Sequence, residues 1–250
     1  MDGAVIVLRD VLDYGARVLP GLVLIGVCYA LARKGRDPMM RIMVLIFAFI
    51  LIRDAMSPAG LWRFGGPVPW LRFTDQAGIM LGLGAAALAA TAALMRLEGD
   101  LRALVRWGRP GPAAAGLGLG GGVLAAAPVL AISAPVPITE RGGTVALSLL
   151  PALLVFCLAG NLAEEVLFRG VLQGYLEPRL GAVRAALLSG LLFAACHVFL
   201  ASTVTGAGWP LLAFTLWEGL ICAFLRMRAG VLPAALAHGT AIFLLACGLV

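Results

Sequence analysis

The sequence predicts an all-α fold, a polytopic membrane bundle of about eight transmembrane helices. Three observations predict it. Mean hydropathy over the 250 residues is +1.01. Only 13% of the residues are charged, where a soluble globular domain carries ~25%. The apolar residues come in runs of helix length separated by short basic loops, the pattern of spanning segments and their connections. No stretch between the runs is long enough for a separate soluble domain, so the chain reads as one integral membrane unit.

Taken in order, residues 1–17 hold an apolar run at 4–8 and charges at Arg9, Asp10, Asp13 and Arg17, and read as a short interfacial or capping helix. The first span is 18–32, stopped by Arg33, Lys34, Gly35, Arg36, Asp37 and Pro38. The second starts near Ile42, but its clean run ends at Ile52, short of the ~20 residues a crossing helix needs. It is completed only if Arg53 and Asp54 pair or sit at the interface. Residues 57–75, with three prolines, Gly65, Gly66, Trp62 and Trp70, read as a loop with aromatic anchors at headgroup level. The third span is 76–95, Gly- and Ala-rich for close packing. A basic amphipathic surface segment follows at 96–112.

The fourth span, 113–134, contains a formal GxGxxG at Gly116, Gly118 and Gly121. No strand precedes it and no acidic residue follows at the right distance, so close helix packing is the better reading than a dinucleotide site. The fifth span, 144–167, continues as helix towards Tyr175 and ends at Glu177-Pro178-Arg179; the sixth is 183–200, the seventh 209–225 and the eighth 231–249. Eight crossings put twelve Arg and Lys on one side and six on the other, with Arg169 within the membrane. Basic loops face the cytoplasm, so both termini are expected outside. The net charge of +6 therefore reports orientation and not nucleic-acid binding. The five cysteines lie in apolar segments with no CxxC pair and read as small buried hydrophobes. Asp2 stands where a signal peptide would carry basic residues, so no cleaved signal is expected.

The ionisable groups left inside the later spans are few: Glu164, Glu165 and Arg169 on the fifth, His197 on the sixth, Glu218 on the seventh and His238 on the eighth. Such groups are costly in a bilayer, ~2.5–3.5 kcal/mol each at the centre of a helix on insertion scales, and mark functional sites. Both histidines of the protein are among them. Helical spacing divides the carboxylates. Glu165 and Arg169, four apart, share a face and form a structural ion pair. Glu164 lies about 100° round the helix and stays unpaired, a desolvated carboxylate suited to general-base work. Asn161, three and four positions earlier, is within reach of either. A ruler of ~1.5 Å per residue puts Glu164 and His197 at matched depth, ~20 Å from the turn joining their spans. His238 and Glu218 fall near enough to share their pocket. Glu218 is expected to bond within the bundle, or to His238 or Arg169.

These residues spell a pattern: E-E-x-x-x-R at Glu164, Glu165 and Arg169, F-x-x-x-H at Phe193 and His197, then His238. It resembles the CAAX-protease and bacteriocin-processing family of intramembrane proteases (CPBP or Abi), over about residues 145–245. The resemblance divides the unit into residues 1–143, without catalytic motif, and residues 144–250, a catalytic core of four helices. It implies an intramembrane endopeptidase that hydrolyses a peptide bond of a membrane-associated protein or peptide; the Ala-, Gly- and Arg-rich composition points to a bacterial plasma membrane as its setting. Glu164 and His197 would activate water and His238 would stabilise the oxyanion, supported by Glu165, Arg169 and Asn161. The family's pattern has Asn or Asp four residues after the last histidine; this chain has Ile242, with Asn161 or Thr240 as stand-ins.

No cofactor is expected, because a Glu–His pair suffices for general-base chemistry. The alternative is zinc or another divalent ion held by Glu164, His197 and His238 with one position open to water. H-E-x-x-H and G-x-S-G are absent from the sequence, and no aspartate lies centrally in a late span. The expected partners are the bilayer and a membrane-bound protein or peptide, with no nucleic acid. Two other classes remain: a catalytically weak homologue acting as a membrane partner or immunity protein, which Ile242 favours, and a proton-coupled transporter, against which stands the lack of an internal repeat.

Overall fold

The computed structural model describes residues 3–35, 37–65 and 70–249. Arg36, the 66–69 part of the loop and the side chains of the apolar run 4–8 lie outside the described residues. The architecture is a membrane helical bundle. Six stretches are long and apolar enough to cross: 9–32, 77–97, 112–133, 147–180, 182–204 and 209–229. Two further helices complete the bundle, α2 (Met39–Met56), which carries Arg41, Arg53 and Asp54, and the 16-residue α10 (Val231–Ala246). The doubtful second span is thus a helix, and its condition is met: Arg53 pairs with Asp54 at 2.7 Å, both buried.

The first 17 residues differ from expectation. They are not a separate helix but the start of a continuous α1, Gly3–Ala32. The charges do not break it because they find partners along it and beside it. Arg9 lies 3.8 Å from Asp13 one turn on, Asp10 accepts from Gln76, and Tyr14 donates to the Ile52 carbonyl of α2. The outer face of α1 leaves Leu19, Val23, Leu24 and Val27 exposed, as a lipid-facing helix does.

The 57–75 loop is also more ordered than its prolines suggest. It contains an antiparallel hairpin, β1 (Trp62–Gly65) and β2 (Trp70–Phe73), with Trp62 opposite Phe73 and Phe64 opposite Leu71. Residues two apart share a face of a strand, which puts Trp62, Phe64, Leu71 and Phe73 together. They pack on α6 (Leu150–Glu165): Trp62 stacks on Phe73, and Phe73 meets Phe156 edge-on at 4.9 Å. Trp62 therefore packs into the protein, while Trp70, on the opposite strand face, lies beside Gly142 and lines a cavity. Arg72 pins the hairpin, donating to the carbonyls of Gly143 and Leu245.

Beyond the hairpin come α3 (Ala77–Leu97), the short α4 (Gly99–Leu104) and α5 (Pro112–Ser133). The glycines of α5 are packing positions. A Cβ on Gly118 would come within 2.8 Å of Leu236, and one on Gly122 within 2.6 Å of the Ala237 carbonyl oxygen. After α6 the helix runs on through 166–172 into α7 (Gln173–Leu180), turning at Gly181 into α8 (Ala182–Ala195). Then come α9 (Trp209–Ala229) and α10.

Polar contacts hold the alternate loops in two groups, as eight crossings require. On one face Arg33 and Arg41 meet Glu98, Arg41 meets Asp100, Asp37 accepts from Tyr175, and Arg226 pairs with Glu177. On the other, Arg72 joins the hairpin to the α5–α6 connection and to the end of α10.

Candidate active site

The site is built where the helices are least regular. α6 passes through Glu164 and Glu165 and widens at once into a π-helical turn over Val166–Leu172. Such turns are rare overall and are frequent at functional sites. Ser189 on α8 donates to the Phe168 carbonyl within it, at 3.1 Å. The widened turn keeps the pair expected from the spacing: Arg169 Nη1 lies 2.8 Å from Glu165 Oε1, with both side chains fully buried. Arg169 also donates to the Gly219 carbonyl of α9 at 2.9 Å. One turn later Gln173 donates to the Ala223 carbonyl at 3.1 Å. The two side chains grip α9 at carbonyls four residues apart.

Glu165 has a second partner that spacing along one helix does not reveal. Its Oε1 meets His238 Nδ1 at 2.9 Å, and His238 Nε2 lies 3.4 Å from Glu218 Oε2. Only an imidazolium carries a hydrogen on both nitrogens, so the geometry suits a charged ring held between two carboxylates. Glu218 thus has the histidine partner anticipated for it. Phe193 joins the parts. Its ring centre is 4.6 Å from His197, 5.6 Å from His238 and 4.3 Å from the Arg169 guanidinium carbon.

Glu164 is the carboxylate left over. It is half-buried, and among the described residues it has no ion pair or hydrogen bond. His197 sits where α8 has ended at Ala195 and the chain turns before helical structure resumes. Its Nδ1 is 2.8 Å from the Phe193 carbonyl. A carbonyl only accepts, so Nδ1 carries the hydrogen and Nε2 keeps a free lone pair. The break in α8 releases the Cys196 carbonyl from the helix ladder, and Arg53 of α2 donates to it at 2.7 Å.

Glu164, His197, His238, Glu218, Asn161 and Arg53 all line one cavity of about 660 Å³, walled by aromatic residues of the hairpin and of α9. Glu164 and His197 therefore line one cavity, although no hydrogen bond links them directly. Glu165 and Arg169 lie behind the wall. Asn161 is on the wall, but its amide donates to the Cys157 carbonyl at 2.7 Å and not to either carboxylate. Of the two stand-ins for the residue missing at Ile242, Thr240 faces α5, where a Cβ on Gly122 would meet it at 2.6 Å. Asn161 alone of the two is at the cavity.

The residue that sequence reasoning passed over is Arg53. It stood only as an obstacle to completing the second span. The cost of a charge in an apolar run, which singled out Glu164, singles out Arg53 as well. Among the described residues no group of three His, Cys, Asp or Glu side chains is disposed to hold a metal ion. Both His238 nitrogens face carboxylates, Glu165 on one side and Glu218 on the other.

Residues 146–244 match the family model for the type II CAAX prenyl endopeptidase Rce1-like proteins. Comparisons with curated proteins and with solved structures give no match. The matched stretch runs from the start of α6 almost to the end of α10 and contains both carboxylates, Arg169 and both histidines. Residues 146–244, which bring Glu164, His197 and His238 to the cavity, are thus similar to the Rce1-like CAAX protease family.

Proposed function

We propose that the protein is an intramembrane endopeptidase that hydrolyses a peptide bond of a membrane-associated protein or peptide, without a metal. The observation that carries the reading is the contrast between neighbouring carboxylates on one cavity. Glu165 is bound on both sides, while Glu164 is unpartnered and shares the wall with a histidine whose Nε2 is free. A water between Glu164 and His197 Nε2 gives up a proton to Glu164 as its oxygen bonds to the scissile carbonyl carbon. The carbonyl π electrons move to oxygen. Collapse of that tetrahedral species expels the amine nitrogen, which takes the proton, leaving a carboxylic acid and an amine. His238, fixed by Glu165 and Glu218, contributes positive charge at the cavity edge.

A bacterial plasma membrane, with the basic loops in the cytoplasm, is the proposed setting. The second reading, a non-enzymatic membrane partner or immunity protein, draws on Ile242. Purified protein in proteoliposomes separates them. Two probes are used, an internally quenched peptide ending in a farnesylated C-a-a-X sequence and a single-span membrane protein. Wild type is expected to cleave, and Glu164→Ala and His197→Ala to lose at least ~10²-fold in rate. Cleavage by both variants at the wild-type rate refutes hydrolysis by this pair, and loss of activity on exhaustive chelation refutes the metal-free form.

A further inference from the structure

Most residues lining the cavity of Glu164 and His197 are buried or half-buried. Five are exposed: Pro128 and Ile132 on α5, and Trp209, Ala213 and Trp217 on α9. Among the described residues no other lining residue is exposed. Residues four apart share a face of a helix, so the five make one row on each helix. A residue that both lines a cavity and is exposed marks its mouth. We propose that the two rows are the sides of a lateral mouth, through which an apolar transmembrane segment of the substrate protein reaches Glu164 from within the bilayer. This rests on the hydrolytic reading above.

The surroundings of the rows fix where the mouth opens. Both helices are long and apolar enough to cross, and none of the five side chains is charged, so the mouth opens on lipid. By contrast, the exposed Leu19 and Val23 of α1 face lipid without lining the cavity. α9 begins on the hairpin side, where Leu211 packs with Trp62 and Phe64. Trp217 lies eight residues after Trp209, roughly 12 Å along the helix. The mouth therefore occupies the hairpin-side half of a core ~30 Å thick. Towards the basic face the two helices are joined. Pro128 has no N–H, which frees the Leu124 carbonyl four residues before it, and Trp217 Nε1 donates to that carbonyl at 3.2 Å. A backbone carbonyl left unpaired in lipid is costly, so this bond holds α5 to α9 where the mouth ends. Further on, a Cβ on Gly121 would meet Leu225 at 2.7 Å.

The size of the cavity selects the way its guest enters. A helix is ~10–12 Å across with its side chains, so about 660 Å³ takes roughly one to one and a half turns. The rest of a spanning segment has to stay in lipid while the local stretch sits beside Glu164. An opening through the side of the bundle allows both at once.

The test uses full-length protein in proteoliposomes with the single-span membrane protein as probe. In the Glu164→Gln background, expected to bind without cutting, p-benzoylphenylalanine replaces Ile132 or Ala213. Leu119, exposed on α5 but outside the cavity, is the control position. Photocrosslinking to the probe is expected from 132 and 213 and only at background level from 119. Ile132→Trp combined with Ala213→Trp fills the mouth from exposed positions. It is expected to lower kcat/KM for this probe at least ~10-fold with the thermal midpoint unchanged, while Leu119→Trp keeps the wild-type value. Crosslinking decides the question where the double variant does not fold. Crosslinking no stronger from 132 and 213 than from 119 overturns the mouth, as does wild-type kcat/KM in the folded double variant. Cleavage of the farnesylated peptide with none of the single-span protein overturns the occupant. Crosslinking from 132 and 213 with no cleavage by wild type supports the mouth and refutes hydrolysis. Cleavage that Glu164→Ala abolishes and the double variant leaves untouched refutes the mouth alone.

Discussion

Glu164 and Glu165 are adjacent in sequence, and the structure gives them opposite duties, so replacing each by glutamine should separate activity from stability. Glu165→Gln removes the charge that Arg169 meets at 2.8 Å and His238 at 2.9 Å, in a position with no exposure. The amide oxygen can satisfy one of them weakly and leaves a buried cation uncompensated. Breaking a buried pair in this way costs about 3–5 kcal/mol, which for a chain of this size lowers the thermal midpoint by roughly 6–20 °C. Glu164→Gln removes a carboxylate that holds nothing and should stay within about 0.5 kcal/mol of wild type while abolishing cleavage. A thiol-reactive dye read during heating in detergent is a direct assay, because Cys157, Cys222 and Cys247 are buried and Cys28 is exposed. Cys28 and the half-buried Cys196 give the background, and the buried three report unfolding. Equal midpoints for the two variants would refute the division of labour. Replacing the whole pair, Glu165→Leu with Arg169→Met, should recover part of the loss, since apolar groups of similar size leave no charge unpaired.

Two further predictions concern packing and the basic face. Gly122→Val should destabilise by about 1–3 kcal/mol, because its Cβ would lie 2.6 Å from the Ala237 carbonyl oxygen; Gly116→Ala, with nothing within 4 Å, should be neutral or gain ~0.5–1 kcal/mol from helix propensity. Equal effects in the dye assay would contradict close packing of α5 on α10. On the opposite face, the Arg41 guanidinium beside Asp100 holds that carboxyl below its usual range. Its contribution is therefore full above the unfolded value near ~3.9 and is lost as pH falls through the lower folded value. Half-exposure limits it to a few tenths of a kcal/mol (~0.2–0.5), so Asp100→Asn should lower the midpoint slightly at pH 7 and not at all near pH 2.

What was legible in the sequence was what one helix or one hydropathy window can report. The spans, the Glu165–Arg169 pair and the freedom of Glu164 follow from period and spacing. What was not legible depends on contacts between distant segments. The charges at Arg9, Asp10 and Asp13 looked like a boundary because Gln76 and Ile52, their neighbours in space, are remote in sequence. The hairpin was hidden by its prolines, although the alternation of Trp62 and Phe64, and of Leu71 and Phe73, carried a strand period. The break at His197 left no local trace, because α8 ends without a glycine or proline and a side chain from α2 stabilises the freed carbonyl. Glu218 and His238 sit on separate helices, and only packing shows that one serves the other.

The boundary between a motif-bearing half and a motif-free half is therefore a boundary in sequence pattern and not in the site. Residues before 144 give the cavity Arg53, the hairpin aromatics and the α5 wall. They form much of the wall facing Glu164, so the surroundings in which that carboxylate acts are set by both halves of the chain. Arg53 sharpens the point. It holds the carbonyl next to His197, so the register of α2 fixes where the histidine ring stands. Residues 144–250 expressed alone would keep every residue of the E-E-x-x-x-R and histidine motifs. They would lose the donor at Cys196 and leave the face of α6 that packs on Phe73 exposed to lipid or water. Stability and catalysis in this chain thus share one requirement, that the first four membrane helices and the hairpin seat correctly on the last four.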